Sequence, residues 1–271
     1  MTNRISSPDN RKYRDWQKLL KKKYRDRTGC FLVEETNAIS EAVINGADIE
    51  SFIVRDGDWC NMPDEANEIM HRVPGFTLSA KLFDDLCSTE NSRGIMAVIR
   101  KRNYSISDFS KGGRSSNILV LDRLQDPGNT GTVIRTADGA GLGGIIVMKG
   151  TCDIYSPKVV RASAGSIFRV PFIFVEDNNQ LFGILKDAGK SLAVTCFEGA
   201  QDYGLCDLSH DTAITIGNEG GGVSQELISK ADKKVKIPMY GNIDSLNASV
   251  AAGIIMYESE RQRKEKVSED K

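Results

Sequence analysis

The stretch TIGNEGGGVSQE, residues 215–226, decides how this chain is read. It continues the β-branched run Thr212-Ala213-Ile214-Thr215-Ile216 and leads into a segment with helical spacing, Val223–Lys230. Gly217, Gly220, Gly221 and Gly222 let its backbone turn tightly and approach a ligand closely. Strand, glycine turn and helix, in that order, are the repeating unit of a parallel α/β sheet. Yet the turn holds Glu219 and no Lys or Arg, an odd cradle for a phosphate.

Outward from it, short apolar runs recur at Ile118–Leu121, Ile145–Met148, Phe172–Val175 and Leu192–Phe197. Helical segments fall between them, around Thr130–Ala140, Pro157–Gly165 and Asn179–Ala188. Strands apolar on both faces and separated by helices predict a doubly wound parallel sheet, with ligands off the carboxyl ends of the strands. The last helix is expected from near Ser245, with Leu246, Val250, Gly253, Ile254 and Tyr257 on one stripe.

Residues 12–100 hold a smaller alternation. Tyr13–Tyr24 is amphipathic, Glu35–Ile44 reads as a helix stopped by Asn45-Gly46, and Ser79–Leu86 has an N-cap and helical spacing. Cys30–Val33, Ser51–Val54 and Gly94–Ile99 read as strands. Residues 100–116, RKRNYSISDFSKGGRSS, are polar and basic and mark a linker. The expected organisation is a small α/β domain over 1–100, a linker over 101–116 and the parallel-sheet domain over 117–271.

Composition excludes several classes. Of 271 residues 40% are hydrophobic and 27% charged, ordinary for a globular protein, and the net charge of -1 gives no general sign of nucleic-acid binding. Charge is uneven, however: residues 1–27 hold ten Lys or Arg against Asp9, Asp15 and Asp26. Such a stretch is a phosphate-binding arm, a targeting peptide or a solvated helix face, and its acids together with Trp16 argue against a transit peptide. No run reaches the roughly 20 apolar residues that span a bilayer. Six cysteines without a CxxC pair, beside His71 and His210 alone, argue against a zinc site and a disulfide framework. The chain reads as cytosolic and reduced, with no metal and no membrane partner.

Two glycine motifs mislead. In Ala188-Gly189-Lys190-Ser191 the upstream Gly183 lies one residue too far for a P-loop, and helix precedes strand, so Gly189 reads as a helix C-cap. Gly139-Ala140-Gly141-Leu142-Gly143-Gly144 likewise follows a helix, which excludes a dinucleotide fingerprint.

Three ordered stretches remain: Asn129-Thr-Gly131-Thr-Val-Ile-Arg135, Gly217-Asn218-Glu219-Gly220, and Ile237-Pro238-Met239 followed by Ser245-Leu246-Asn247-Ala248-Ser249. On spacing alone Arg135 is equally a solvent-facing helix residue, and Asn247 a cap. Together the stretches resemble the SpoU (TrmH) family of RNA ribose 2′-O-methyltransferases, over about residues 115–262; Ser156-Pro-Lys-Val-Val-Arg161-Ala-Ser163-Ala-Gly165 is similar to a further family segment.

The resemblance implies a SPOUT-type fold with a deep trefoil knot, a homodimer, and S-adenosylmethionine as cofactor, which has no phosphate and so suits a glycine loop without Lys or Arg. It implies Asn129, Arg135, Glu219 and Asn247 as the catalytic set, and Thr195, Gly217, Asn218, Ile237, Met239 and Leu246 around the methyl donor. Residues 1–100, with the basic arm, become the reader of an RNA substrate, ribosomal RNA more readily than transfer RNA. A non-catalytic RNA-binding protein on the same fold, and a nucleotide-dependent oxidoreductase or NTPase, are the rivals; the intact four residues and the missing nucleotide motifs weigh against them.

Overall fold

Among the described residues a five-stranded sheet builds the first of two compact units and a seven-stranded sheet the second. The computed structural model describes residues 3–57, 64–88, 93–109 and 111–269. The first unit comprises Met1–Arg102 with Asp153–Arg169, the second Asn103–Cys152 with Val170–Lys271.

In the first unit β1 (Asn3–Ile5), β2 (Cys30–Glu34), β3 (Ile49–Arg55), β4 (Gly75–Leu78) and β5 (Ile95–Arg100) lie in the order β1-β4-β3-β5-β2. β1, β4 and β3 run parallel, and β5 is antiparallel to both of its neighbours. The helices are α1 (Arg11–Leu19), α2 (Lys22–Thr28), α3 (Thr36–Ile44), α4 (Asp64–Arg72) and α5 (Ala80–Asp84). The amphipathic stretch Tyr13–Tyr24 is therefore two helices, broken where Lys21 is extended (φ -105°, ψ 130°). The Asn10 side chain caps α1 by accepting from the Lys12 and Tyr13 amides. Tyr13, Trp16 and Leu19 pack into one core with Leu32, Ile53, Phe76 and Phe83. The basic N-terminal stretch is thus folded into this unit; it does not hang free as an arm.

In the second unit β6 (Ile118–Leu121), β7 (Ile145–Met148), β8 (Phe172–Val175), β9 (Ser191–Thr195), β10 (Gln201–Asp202), β11 (Thr212–Ile216) and β12 (Lys233–Lys236) form one sheet of order β10-β12-β9-β11-β6-β7-β8. Every pairing in it is parallel. The remaining helices are α6 (Pro127–Ala140), α7 (Pro157–Ala162), α8 (Asn178–Asp187), α9 (Gln225–Ser229) and α10 (Ala248–Glu269). Ile118, Val120, Ile146, Met148, Leu192 and Val194 pack with Leu181, Leu185 and Leu227 of α8 and α9. The alternate residues Leu119, Leu121, Ile145, Val147, Ile214 and Ile216 are buried as well, so the sheet is covered on both faces. α10 lies against α6 and β11.

Two boundaries differ from expectation, and the buried face of the last helix becomes defined. α6 starts at Pro127, because Asp126 caps it by accepting the Asn129 amide at 2.7 Å and proline suits the first helical turn. α10 starts at Ala248, with Asn247 as its cap. Its buried face is Ala252, Ile255, Met256 and Ser259, whereas Val250 and Tyr257 of the expected stripe are 50% and 55% exposed. The 139–144 glycines have local causes: Gly141 ends α6 at φ +75°, and a Cβ on Gly143 would lie 2.7 Å from the Ser115 carbonyl. Gly189 follows α8 at φ +63°, as a C-terminal glycine should.

Between β7 and β8 the chain contributes α7 to the first unit, where it packs on β2. Tyr155 and Phe168 flank Phe31, with ring centroids at 4.8 and 6.3 Å. Asp153 accepts Arg25 Nε at 2.8 Å, and Arg25 also donates to the Leu19 carbonyl at 2.6 Å. Both side chains are nearly buried, at 4% and 10% exposure.

Candidate active site

Side by side in the sheet, β12, β9 and β11 end on one edge, and the loops leaving them wall a cavity of about 250 Å³. β9 gives Thr195, Cys196 and Phe197; β11 gives Ile216 and the 217–222 loop; the segment after β12 gives Ile237, Met239, Ser245 and Leu246. Ala248, Ala251 and Ile255, about a turn apart on α10, complete it. All six residues expected around the methyl donor (Thr195, Gly217, Asn218, Ile237, Met239 and Leu246) line this cavity. Sequence reasoning missed Cys196, Phe197, Lys236, Ala251 and Ile255; the continuation of each strand end and the three-to-four spacing on α10 were the available signals. Burial pushes the Cys196 thiol up, which suits a lining group and not a nucleophile.

The glycine loop is held by its own atoms. A Cβ on Gly217 would fall well inside contact distance of the Gly222 carbonyl carbon and the Val223 nitrogen. Gly222 is left-handed at φ +65°. Asn218 closes the turn: its amide donates to the Gly222 carbonyl at 3.0 Å, and its Oδ1 accepts from Gly220 and Gly221 at 3.0 and 2.9 Å. Its Nδ2 donates to the Arg123 carbonyl at 3.0 Å. Gly217 thus serves loop closure first, while Gly220 and Gly221 leave open backbone at the rim.

Three of the four expected catalytic residues form one hydrogen-bonded chain. Glu219 accepts from the Gln125 amide at 3.0 Å, the Asp126 amide at 2.9 Å and Asn129 Nδ2 at 3.2 Å. Asn129 Oδ1 in turn accepts from Asn247 Nδ2 at 2.9 Å. Asn247 Oδ1 faces its own helix, accepting from the Ser249 amide at 2.9 Å and its hydroxyl at 2.6 Å. Partial burial pushes the Glu219 carboxyl up, but the backbone donors of Gln125 and Asp126, with Asn129, outweigh it and hold the carboxyl below its ordinary value. Glu219 is therefore an anion at neutral pH, and both asparagine amides are fixed in orientation.

Arg135 stands apart from that chain. It lies on α6 one and a half turns beyond Asn129, exposed, with no ion-pair partner among the described residues. An arginine left unpaired and hydrated is free to meet an external anion. Among the described residues lining the cavity, Lys236 is the one basic side chain, set against the Glu219 carboxylate; Thr195, Asn218 and Ser245 are polar and neutral, and the rest are apolar side chains and loop backbone. That donor set fits a nucleoside carrying a cation better than one carrying phosphates. Among the described residues no group of three or more His, Cys, Asp or Glu could hold a metal ion.

Fold and site define a parallel α/β protein that takes a small, phosphate-free ligand off its strand ends, beside an ordered amide–carboxylate chain and an unpaired arginine. The chain belongs to the SpoU rRNA Methylase family, which matches residues 116–257. Residues 10–97 match the MRM3-like substrate binding domain. The 23S rRNA (guanosine(2553)-2′-O)-methyltransferase RlmP of Bacillus subtilis is 32% identical over 93% of this chain and 97% of its own length. The AdoMet-bound rRNA methyltransferase from Sinorhizobium meliloti superimposes with a TM-score of 0.84 at 29% identity, covering 96% of this chain and 98% of that one. The SpoU methyltransferase AviRb from Streptomyces viridochromogenes, in complex with AdoMet, gives 0.82 at 30% identity over 94% and 100%.

Proposed function

We propose that this chain transfers a methyl group from S-adenosylmethionine to a ribose 2′-hydroxyl of RNA, with ribosomal RNA as the substrate class. The observation that carries the reading is the Glu219–Asn129–Asn247 chain at the rim of the strand-end cavity, with unpaired Arg135 on the same helix as Asn129. The family match and the ribosomal-RNA-modifying relatives support it.

Thr195, Gly217, Asn218, Ile237, Met239 and Leu246 would hold S-adenosylmethionine, which supplies a methyl group already activated on a sulfonium. Little covalent work remains for the protein, so positioning governs the rate, and well-oriented reactants reach effective molarities of roughly 10⁵–10⁸ M. Arg135 binds an RNA phosphate and stabilises negative charge developing on the 2′-oxygen. Its guanidinium stays protonated, so it acts electrostatically and another group accepts the hydroxyl proton. Glu219 fixes Asn129, and Asn129 with Asn247 orients the ribose.

The finer architecture follows the same reading. Residues up to about 100 read the RNA, those from 117 carry out transfer, and the latter fold into a trefoil knot. The exposed Val250 and Tyr257 on α10 form an apolar stripe beside α6, suited to pairing with a second copy. No helix among the described residues is long and apolar enough to cross a membrane, and we place the enzyme in the cytoplasm with its RNA. The test is transfer of labelled methyl from S-adenosylmethionine to total RNA, followed by digestion to nucleosides and mass analysis. A 2′-O-methyl nucleoside is expected; label on a base, or none, contradicts the reading.

A further inference from the structure

One buried carboxylate beside the cavity belongs to none of the three motifs. Asp122, at the end of β6, has only 2% of its side chain exposed. Its Oδ1 accepts Arg123 Nε at 2.9 Å; its Oδ2 accepts Arg123 Nη2 at 3.2 Å and the Ser224 amide at 2.7 Å. Arg123 sits in a left-handed turn (φ +59°), unusual for a branched-free long side chain and worth its strain only where the surroundings hold it. Its amide donates to Thr151 Oγ1 at 3.1 Å, and its stem passes 3.0 Å from where a Cβ on Gly150 would stand. Its Nη2 also reaches the Gly222 carbonyl at 3.4 Å.

These contacts pair with the Glu219 contacts in the opposite sense. Asp122, from the loop that leads into α6, accepts an amide from the far end of the glycine loop, Ser224. Glu219, from the glycine loop, accepts two amides from the loop that leads into α6, Gln125 and Asp126. Each loop therefore hands a carboxylate to the backbone of the other. Between the two exchanges lie the cavity wall, Gly217–Gly222, and the start of the helix that carries Asn129 and Arg135.

We infer that Asp122, with Arg123, is a positioning residue: together with Glu219 it forms a reciprocal carboxylate latch that sets the cofactor loop against the start of α6. The inference rests on the proposed use of the cavity for S-adenosylmethionine. Asp122 touches neither reactant. It acts through the Ser224 amide and through Arg123, so that the wall of the donor site and the catalytic asparagine move as one piece. Hydrogen bonds to a buried ionised acceptor are the strong kind, and a loop held at both ends by them loses little freedom when a ligand arrives.

Two variants test this in the full chain. Asp122→Asn removes the charge that holds Arg123. Ser224→Pro deletes the N–H given to Asp122 and sets a ring carbon against that carboxylate, losing besides only a buried hydroxyl without a hydrogen-bond partner, at a backbone angle (φ -63°) that proline adopts. Two readouts are needed: S-adenosylmethionine affinity by calorimetry, and amide exchange over 121–129 and 215–224 without ligand. The latch predicts about a tenfold loss of donor affinity in either variant. It also predicts faster exchange at Gln125 and Asp126 as well as in the glycine loop, with RNA affinity unchanged, which general loss of structure would not allow. Should Asp122→Asn fail to fold, Ser224→Pro decides alone. Unchanged exchange at Gln125 and Asp126 in folded Ser224→Pro overturns the latch, as does donor affinity within twofold of the parent. Failure of the parent chain to bind the donor would instead refute the proposed function, and the exchange readout would still decide the latch.

Discussion

Replacing Glu219 by glutamine alters one group and strands one donor. The carboxylate serves three: the Asp126 amide and Asn129 Nδ2 on Oε1, and the Gln125 amide on Oε2. Glutamine keeps a single acceptor oxygen, so whichever way it turns, its NH₂ meets a backbone N–H. A stranded partner of a charged, buried hydrogen bond costs about 1.5–3 kcal/mol. Glu219 is exposed, and solvent screening brings the expected loss of stability to the lower end, about 1–1.5 kcal/mol. The larger consequence is kinetic, because Asn129 loses the charged acceptor that orients it, and turnover at saturating donor should fall about tenfold, or 1.4 kcal/mol in the barrier. Single-turnover methyl transfer and a denaturant melt read the two effects. The acid side is informative too. The folded carboxyl lies below its ordinary value, so its stabilisation is complete above the unfolded pKa of about 4.3 and disappears as pH falls through the folded value. The glutamine variant should lack that slope. Turnover and stability both within experimental error of the parent would refute the reasoning.

Three further outcomes follow from the geometry. Gly217→Ala places a Cβ against the 222–223 backbone and should abolish donor binding, whereas Gly220→Ala, whose Cβ would sit 3.6 Å from Asn218 Oδ1, should bind normally; calorimetry separates them. Arg25→Met leaves the Asp153 carboxylate buried and unpaired and should cost about 3–5 kcal/mol in a thermal melt, with Arg25→Met/Asp153→Leu recovering most of it. Lys21, Lys22 and Lys23 are exposed and have no ion-pair partner among the described residues; changing all three to Ala should reduce the salt dependence of RNA binding by about 2 in slope, leaving donor affinity unchanged.

The parallel sheet could be read from the chain because β6, β7, β9 and β11 are buried on both faces, and β8, although an edge strand with Phe174 50% exposed, still spells an apolar run. β1 and β10 could not. They hold Asn-Arg-Ile and Gln-Asp at sheet edges, where pairing is carried by the backbone and leaves no side-chain pattern. The start of α6 was written as Asp126-Pro127, a cap and a first-turn proline that also spell a turn; packing on α10 decides between them. Apolar residues stand on both sides of α10, so the stripe through Val250 and Tyr257 does not by itself name the buried face, which is Ala252, Ile255 and Met256. At the site, residue identities were legible from motif order, but the direction of each hydrogen bond was not. Charge and motif order leave Glu219 to fix either Arg135 or the loop; the fold gives it to Asn129 and to two backbone amides. Arg25 and Asp153, 128 positions apart, carry no local signal of their pairing.

The most direct test of the central claim is a map of ribose methylation on ribosomal RNA from cells lacking this chain, with the parent or Arg135→Ala restored. Arg135 is exposed and structurally unpaired among the described residues, so the variant should fold and bind S-adenosylmethionine as the parent does. The account predicts one missing 2′-O-methyl group, returned by the parent and not by Arg135→Ala. Restoration by Arg135→Ala at the parent level, or a complete ribose methylation map without the chain, would contradict it.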